Sequence, residues 1–114
     1  MAEKDIERFL VNEVKKMGGI AYKFVSPGNN GVPDRIIIIP GGGIIFVELK
    51  SETGRLSALQ TRQIKRINSL GQQAIVLKGM DEARRFVVAL RAECRKHEAK
   101  RELIGRLTQE AIRA

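Results

Sequence analysis

The chain has 114 residues, enough for one domain that buries about two-thirds of its unfolded surface. Lysine and arginine number 21 against 13 acidic residues, and this charge of +8 favours a polyanionic partner, most commonly nucleic acid, although it also serves solubility. One cysteine, Cys94, excludes an internal disulfide and a thiolate metal cluster. Because the sequence shows neither a membrane-spanning run nor a signal peptide, we expect a cytoplasmic protein without a membrane partner.

The first elements in chain order are a helix and a short strand. Apolar residues at helical intervals predict a helix from Ala2 to Met17, ended by Gly18 and Gly19. A strand is predicted from Ile20 to Val25, followed by a cluster of turn-forming residues.

A β-hairpin is predicted next, because two runs rich in isoleucine and valine flank Pro40 and three glycines. Asp34 precedes the first run, whereas Glu48 and Lys50 end the second. In an antiparallel hairpin the start of one strand lies beside the end of the other, so Asp34 should lie close to both. Side chains alternate along a strand, so Glu48 and Lys50 should share a face.

The second half of the sequence is predicted to form a helix, a strand and another helix. Ser57 is a plausible N-cap for a helix that reaches Leu70 and ends at Gly71. A buried strand follows from Ala74 to Lys78, and an apolar stripe predicts a helix from about Asp81. Beyond Cys94 the chain becomes densely charged, and a second, shorter stripe follows, formed by Leu103, Ile104, Leu107 and Ala111. The order α-β-β-β-α-β-α indicates an α/β domain with a central mixed sheet flanked by helices.

The charged rim of the hairpin suits phosphodiester hydrolysis, which needs a metal ion to activate water and offset charge on the phosphate. Asp34 and Glu48 would supply carboxylates, and Lys50 a cation for the transition state. Spacing alone equally allows ordinary ion pairs with Arg35 and Lys50. Gln60 lies four residues before Ile64, so it faces inward and needs partners, either at this site or in the loop backbone.

Six basic residues are candidates for DNA phosphate contacts. Three flank the proposed site and three lie on the outer side of the Ser57 helix: Lys23, Arg35 and Arg55, then Arg62, Lys65 and Arg66. Such contacts position a duplex without reading its sequence. The sequence has no aromatic ladder for stacking single strands, so duplex or branched DNA recognised by shape is the expected partner.

The order of these segments resembles a known family. Pro33-Asp34, an apolar strand and Glu48-Leu49-Lys50 spell the PD…(D/E)xK signature of a nuclease superfamily. The fuller run resembles its VRR-NUC branch: Lys23-Phe24-Val25-Ser26-Pro27-Gly28, Gly31-Val32-Pro33-Asp34-Arg35, Phe46-Val47-Glu48-Leu49-Lys50 and Gln60. The resemblance covers about residues 3 to 88 and implies a restriction-endonuclease-like nuclease domain over residues 1–94. Residues 95–114 would then be a helical extension, packed on the same domain or at a dimer interface.

The resemblance also implies roles. Asp34 and Glu48 would bind Mg²⁺ or Mn²⁺ with the backbone carbonyl of Leu49, Lys50 would be the catalytic lysine, and Gln60 would lie beside the metal site. A first-helix glutamate should also reach the metal, and the resemblance favours Glu7, with Glu3 as second choice.

The implied function is a metal-dependent endonuclease that cuts branched DNA such as four-way junctions. The resemblance also implies a homodimer, the arrangement that small stand-alone members of this family resemble. A phage or prophage origin implies the cytoplasm of a bacterial host. A non-catalytic basic DNA-binding module and a restriction-type endonuclease are the alternatives.

Overall fold

The computed structural model describes residues 2–113 and places three helices and four strands in them. In chain order these are α1 (Glu3–Lys16), β1 (Ile20–Lys23), β2 (Arg35–Ile39), β3 (Gly43–Lys50), α2 (Ala58–Ser69), β4 (Gln73–Lys78) and α3 (Gly79–Arg113). The predicted order and the predicted α/β class are confirmed.

The four strands form one mixed sheet in the order β1-β2-β3-β4. The pairs β1–β2 and β2–β3 are antiparallel, and β3–β4 is parallel. The parallel pair follows from α2, because a helical crossover returns the chain to the same end of the sheet.

The hydrophobic core lies on one face of the sheet, beneath α1 and α3. Ile6, Leu10 and Val14 give α1 a buried stripe, and Ile37 and Leu49 project from the strands to meet it. Acidic residues in the first turn of α1 and lysines in its last turn complement the helix dipole. This packing brings the N-terminal end of α1 to the end of the sheet where β2 begins and β3 ends.

The last helix contains both the predicted helix from about Asp81 and the predicted helical extension after Cys94. The charged segment after Cys94 marks no break, and α3 runs for 35 residues, or about 50 Å at 1.5 Å per residue. This accounts for the elongated dimensions of 60 × 30 × 19 Å. Residues 95–113 are exposed along their whole length.

The extension touches the domain near the β2–β3 turn. Gly41 has a φ of +97°, and a Cβ there would lie 2.6 Å from the Cβ of His97, so glycine permits the close approach. Within residues 2–113, no helix has the length and apolar character required to cross a membrane.

Candidate metal-dependent active site

Asp34 is fixed by backbone groups of neighbouring strands. Its carbonyl accepts a hydrogen bond of 2.8 Å from the Phe24 N–H, which extends the β1–β2 ladder by one pair. Its Oδ2 accepts a 3.1 Å hydrogen bond from the Leu49 N–H. Within a strand the N–H and C=O of one residue point to the same side, so the Leu49 carbonyl also faces the side where Asp34 lies.

Glu48 is buried, with only 1% of its surface exposed. Its Oε2 accepts a 3.2 Å hydrogen bond from the Gln60 Nε2 and lies 3.5 Å from the Lys50 Nζ. Its Oε1 has no hydrogen-bond partner among residues 2–113. Burial, and next the neighbouring charge of Asp34, raise the pKa of Glu48 to about 7.

A third carboxylate belongs to the same cluster. Oxygen atoms of Glu3, Asp34 and Glu48 all lie within 4.8 Å of one another. Mg²⁺ and Mn²⁺ prefer oxygen ligands, and three carboxylates this close to one another repel when they are ionised. The unpartnered Oε1 of Glu48 and this mutual repulsion both fit a divalent cation between the carboxylates.

Glu7, the glutamate preferred from the sequence, has a different partner. It forms an ion pair with Arg35, whose guanidinium also donates a 3.2 Å hydrogen bond to the Ala21 carbonyl. Arg35 follows Asp34 directly, so its side chain points to the opposite face of the sheet, beneath α1. The acidic cluster contains Glu3 instead, the second choice from the sequence, which lies one helical turn earlier.

Gln60 serves both of the roles that the sequence left open. Its Oε1 accepts a 2.9 Å hydrogen bond from the Ser57 N–H, and the Ser57 Oγ accepts one of 3.1 Å from the Gln60 N–H. These two bonds form a capping box at the start of α2. The remaining Nε2 group donates to Glu48, so the helix start orients a carboxylate of the site.

The loop before β2 is held against the start of α2 at Gly31. The φ of this residue is +87°, and a Cβ there would lie 2.7 Å from the carbonyl carbon of Leu59. Only glycine fits this contact without strain. The contact therefore helps to set the position of Asp34, which ends the same loop.

The predicted DNA-binding residues differ in their availability. Arg55, Arg62, Lys65 and Arg66 are exposed. Arg35 is occupied by Glu7, with 15% of its side chain exposed, and so is poorly placed to bind a phosphate. Lys23 is exposed but pairs with Arg35 across the strands, on the sheet face opposite to Glu48.

Sequence reasoning missed Lys78. The parallel register places Lys78 beside Lys50, and both line a pocket of about 290 Å³ together with Arg55. Three cations thus surround a cavity next to the carboxylate cluster. The strand pattern placed Lys78 at the end of β4, but only the register of a non-local strand pair brings it to Lys50.

Comparison with known proteins identifies the class to which this fold and site belong. The model of the VRR-NUC domain family matches residues 5–81. The chain belongs to the VRR-NUC family of nuclease domains.

A particular relative is "Putative nuclease p44" of Acyrthosiphon pisum secondary endosymbiont phage 1. It is 53% identical over 79 residues, which are 69% of this chain and 85% of that protein. A solved "VRR_NUC domain" has a TM-score of 0.71 at 26% identity and covers 75% of this chain and 92% of its own. A second, a "VRR_NUC domain protein", resembles the chain in fold, with a TM-score of 0.60 at 21% identity over 79% of this chain and 88% of that one.

Proposed function

We propose that this protein is a Mg²⁺- or Mn²⁺-dependent endonuclease that hydrolyses phosphodiester bonds in branched DNA, with four-way junctions as the first candidate substrate. The observation that carries this proposal is the cluster of Glu3, Asp34 and the buried Glu48, with Lys50 3.5 Å from one Glu48 oxygen. Membership of a nuclease family supports the reaction class.

The cation would be held by Asp34, Glu48, the Leu49 carbonyl and a first-helix glutamate, for which Glu3 is now preferred over Glu7. A divalent cation in this place supplies charge for the scissile phosphate and lowers the pKa of an attacking water.

The side chains in and around the carboxylate cluster have different roles. Lys50 offers an ammonium group to the charge that develops on the phosphate. Gln60 holds Glu48 in one orientation through its Nε2 group, which keeps one oxygen free for the cation. Glu48 must lose its proton before it binds a cation, and its pKa of about 7 makes this step pH-dependent near neutrality.

Contacts with DNA are assigned to cations on the site side of the sheet. Arg55 and Lys78 border the pocket at Lys50, and Arg62, Lys65 and Arg66 lie exposed on α2. A phosphate backbone that passes the carboxylate cluster would meet these groups in turn, and contacts of this kind carry no sequence information. This favours recognition of DNA shape over a restriction-type readout.

A homodimer completes the proposal. One chain offers one site, whereas a symmetric junction needs two cuts, and closed two-fold pairing is the commonest oligomer. Within each chain, residues 1–94 would form the nuclease domain and residues 95–114 a helical extension. The phage relative suggests action on DNA in the cytoplasm of a bacterial host.

The test is a panel of labelled four-way junction, flap and linear duplex DNA, each incubated with Mg²⁺, Mn²⁺ or EDTA. We expect cleavage of the junction with either metal and none with EDTA. Binding without cleavage under every condition would leave only a DNA-binding module. Sequence-dependent cutting of linear duplex would favour the restriction-type alternative.

A further inference from the structure

Positive charge is distributed unevenly around α3. The helix carries nine lysine and arginine residues and six acidic residues. Five of the nine follow one another at intervals of seven, four, eleven and seven residues, and such intervals return to the same side of a helix. We call these five residues the arginine row: Arg84, Arg91, Arg95, Arg106 and Arg113.

The other positions on this side of α3 carry little opposing charge. At helical intervals between the arginines lie Val88, Ala99, Glu102 and Gln109, so one carboxylate stands among five guanidinium groups. The remaining four basic residues of α3 are accompanied by five acidic ones. The excess positive charge of the helix therefore lies in the arginine row.

The arginine row runs along a flank of α3 and does not face the sheet. Arg84, Arg91 and Arg95 each follow a buried residue directly, and successive residues of a helix are about 100° apart. Arg91 lies 2.7 Å from Glu13, so this flank is the one nearer to α1. Because α1 and α3 pack on the core face, the row and the carboxylate cluster lie on opposite sides of the sheet.

Most of the row can accept an anion. Arg95, Arg106 and Arg113 are exposed, and they have no ion-pair partner among residues 2–113. Arg84 makes only a long ion pair of 3.9 Å with Asp81, and both side chains are exposed. Arg91 differs, because Glu13 occupies its guanidinium group. Within the part of the chain that the structure describes, four guanidinium groups of the row are therefore available.

The length and chemistry of the row indicate a long, stiff polyanion. From Arg84 to Arg113 the helix rises about 44 Å, which exceeds the ~34 Å of one turn of duplex DNA. Guanidinium groups form paired hydrogen bonds with phosphate oxygens, and basic residues aligned along a helix are typical of a nucleic-acid surface. The row also lacks the large apolar anchors of a helix that docks in a protein groove.

We infer that the arginine row binds the phosphate backbone of a second duplex segment of the DNA, one that does not occupy the active site. The inference rests on the proposed function for its ligand. Since the sheet separates the row from the carboxylates, the backbone held by the row is not the backbone that is cut. A branched DNA offers two duplex segments in one molecule, so the row would favour it over a short linear duplex.

The test compares two triple variants of the helical extension that lose the same charge. The row variant combines Arg95→Ala, Arg106→Ala and Arg113→Ala. The matched control combines Lys96→Ala, Lys100→Ala and Arg101→Ala. All six side chains are exposed, and alanine preserves a helix, which circular dichroism checks. Binding of a labelled four-way junction is followed by fluorescence anisotropy in EDTA at several salt concentrations.

We expect the row variant to reduce the slope of log K against log salt by about 2.7, the value for three lost phosphate contacts. The control should reduce this slope by less than about one. Equal slopes in the two variants would show that net charge alone matters and would overturn the inference. Binding of poly-L-glutamate by the parent as tightly as the junction would indicate an acidic protein partner and would overturn it equally.

Cleavage assays with Mg²⁺ separate this inference from the proposed function. The row does not contact the reacting phosphate, so the row variant should cut the junction with a raised KM and an unchanged kcat. A reduced salt slope in the row variant of a protein that cuts no DNA supports the row and refutes the nuclease. A parent that cuts the junction, but shares its salt slope and KM with the row variant, does the reverse.

Discussion

Glu48 lies in surroundings that on balance oppose its ionisation, although Lys50 favours it. It is 1% exposed, shares the cluster with two other carboxylates, and has Lys50 and Gln60 as its only polar partners among residues 2–113. Burial and the Asp34 charge raise its pKa to about 7. A bound cation would remove this penalty, so the free energy of metal binding would include relief of electrostatic strain already present in the fold.

This penalty predicts how the metal-free protein responds to pH. A carboxyl whose folded pKa exceeds its unfolded value stabilises the fold fully below the unfolded pKa, 4.5, and this contribution is lost as pH rises towards 7. Glu48→Gln removes the titration, so in EDTA at pH 8 the variant should unfold with a free energy higher by on the order of 2 kcal/mol. Urea unfolding at pH 5 and pH 8 measures this, and an equal pH response in both proteins would refute it.

Glu3 and Glu7 should show opposite phenotypes. Glu3→Gln removes one carboxylate of the cluster and should weaken Mn²⁺ binding about tenfold without loss of stability. Glu7→Gln leaves the half-buried Arg35 without its carboxylate and should lower the free energy of unfolding by about 1 kcal/mol while Mn²⁺ binding persists. Calorimetric titration and thermal melts distinguish the two, and the reverse pattern would return Glu7 to the metal site.

At the scale of single residues, the sequence predicted that three residues of the candidate site lie together. It left open which glutamate of the first helix joins them. Asp34, Glu48 and Lys50 were predictable because hairpin pairing and strand alternation are local rules. Glu3 and Glu7 lie one turn apart on the same helix side. The choice between them depends on the position of α1 along the sheet. Core packing sets this position, and no local sequence pattern indicates it.

At the scale of elements, α2 links helix stability to the site through its first turn. Ser57→Ala removes the hydroxyl that accepts a hydrogen bond from the Gln60 N–H. The substitution should lower the free energy of unfolding by about 1 kcal/mol. Cleavage should also slow, because Gln60 then holds Glu48 less firmly. Ser69→Ala, at the other end of α2, is the matched control for stability and for cleavage. Unchanged cleavage by Ser57→Ala would show that the N-cap of α2 does not affect the site.

The β3–β4 register predicts a role for Lys78 in DNA binding. Lys78→Ala should weaken junction binding and reduce the slope of log K against log salt by about one, the value expected for one lost phosphate contact. Lys15→Ala, an exposed lysine on α1, provides a control on the far side of the sheet. Identical salt slopes for Lys78→Ala and the parent would contradict this role.

The predicted elements agree closely with the structure where start and stop signals are strong. Ser57 is the observed N-cap of α2, and Gly71, with a φ of +83°, follows its end. The charged segment after Cys94 continues α3, because polar composition does not end a helix that lacks proline or a capping residue. No local pattern in the sequence predicts that Lys50 and Lys78 lie side by side, since parallel pairing is set by the crossover and not by neighbours in the chain.

At the scale of the whole molecule, the two faces of the sheet have different roles. One face packs on α1 and α3 to form the core, and the other carries the carboxylates, the start of α2 and exposed isoleucines. The layer formed by α1 and α3 therefore contributes stability, whereas the opposite face would meet the cation and the DNA that is cut. The exposed helical extension continues from the core side.

The central claim is that this carboxylate cluster binds the cation that drives DNA cleavage. The most direct measurement is calorimetric titration of Mn²⁺ at pH 8 into the parent and Glu48→Gln, with junction cleavage followed on the same samples. We predict saturable binding and cleavage in the parent, and loss of both in a folded Glu48→Gln protein. Cleavage by Glu48→Gln at the parental rate, or parental cleavage that persists in EDTA, would contradict the claim.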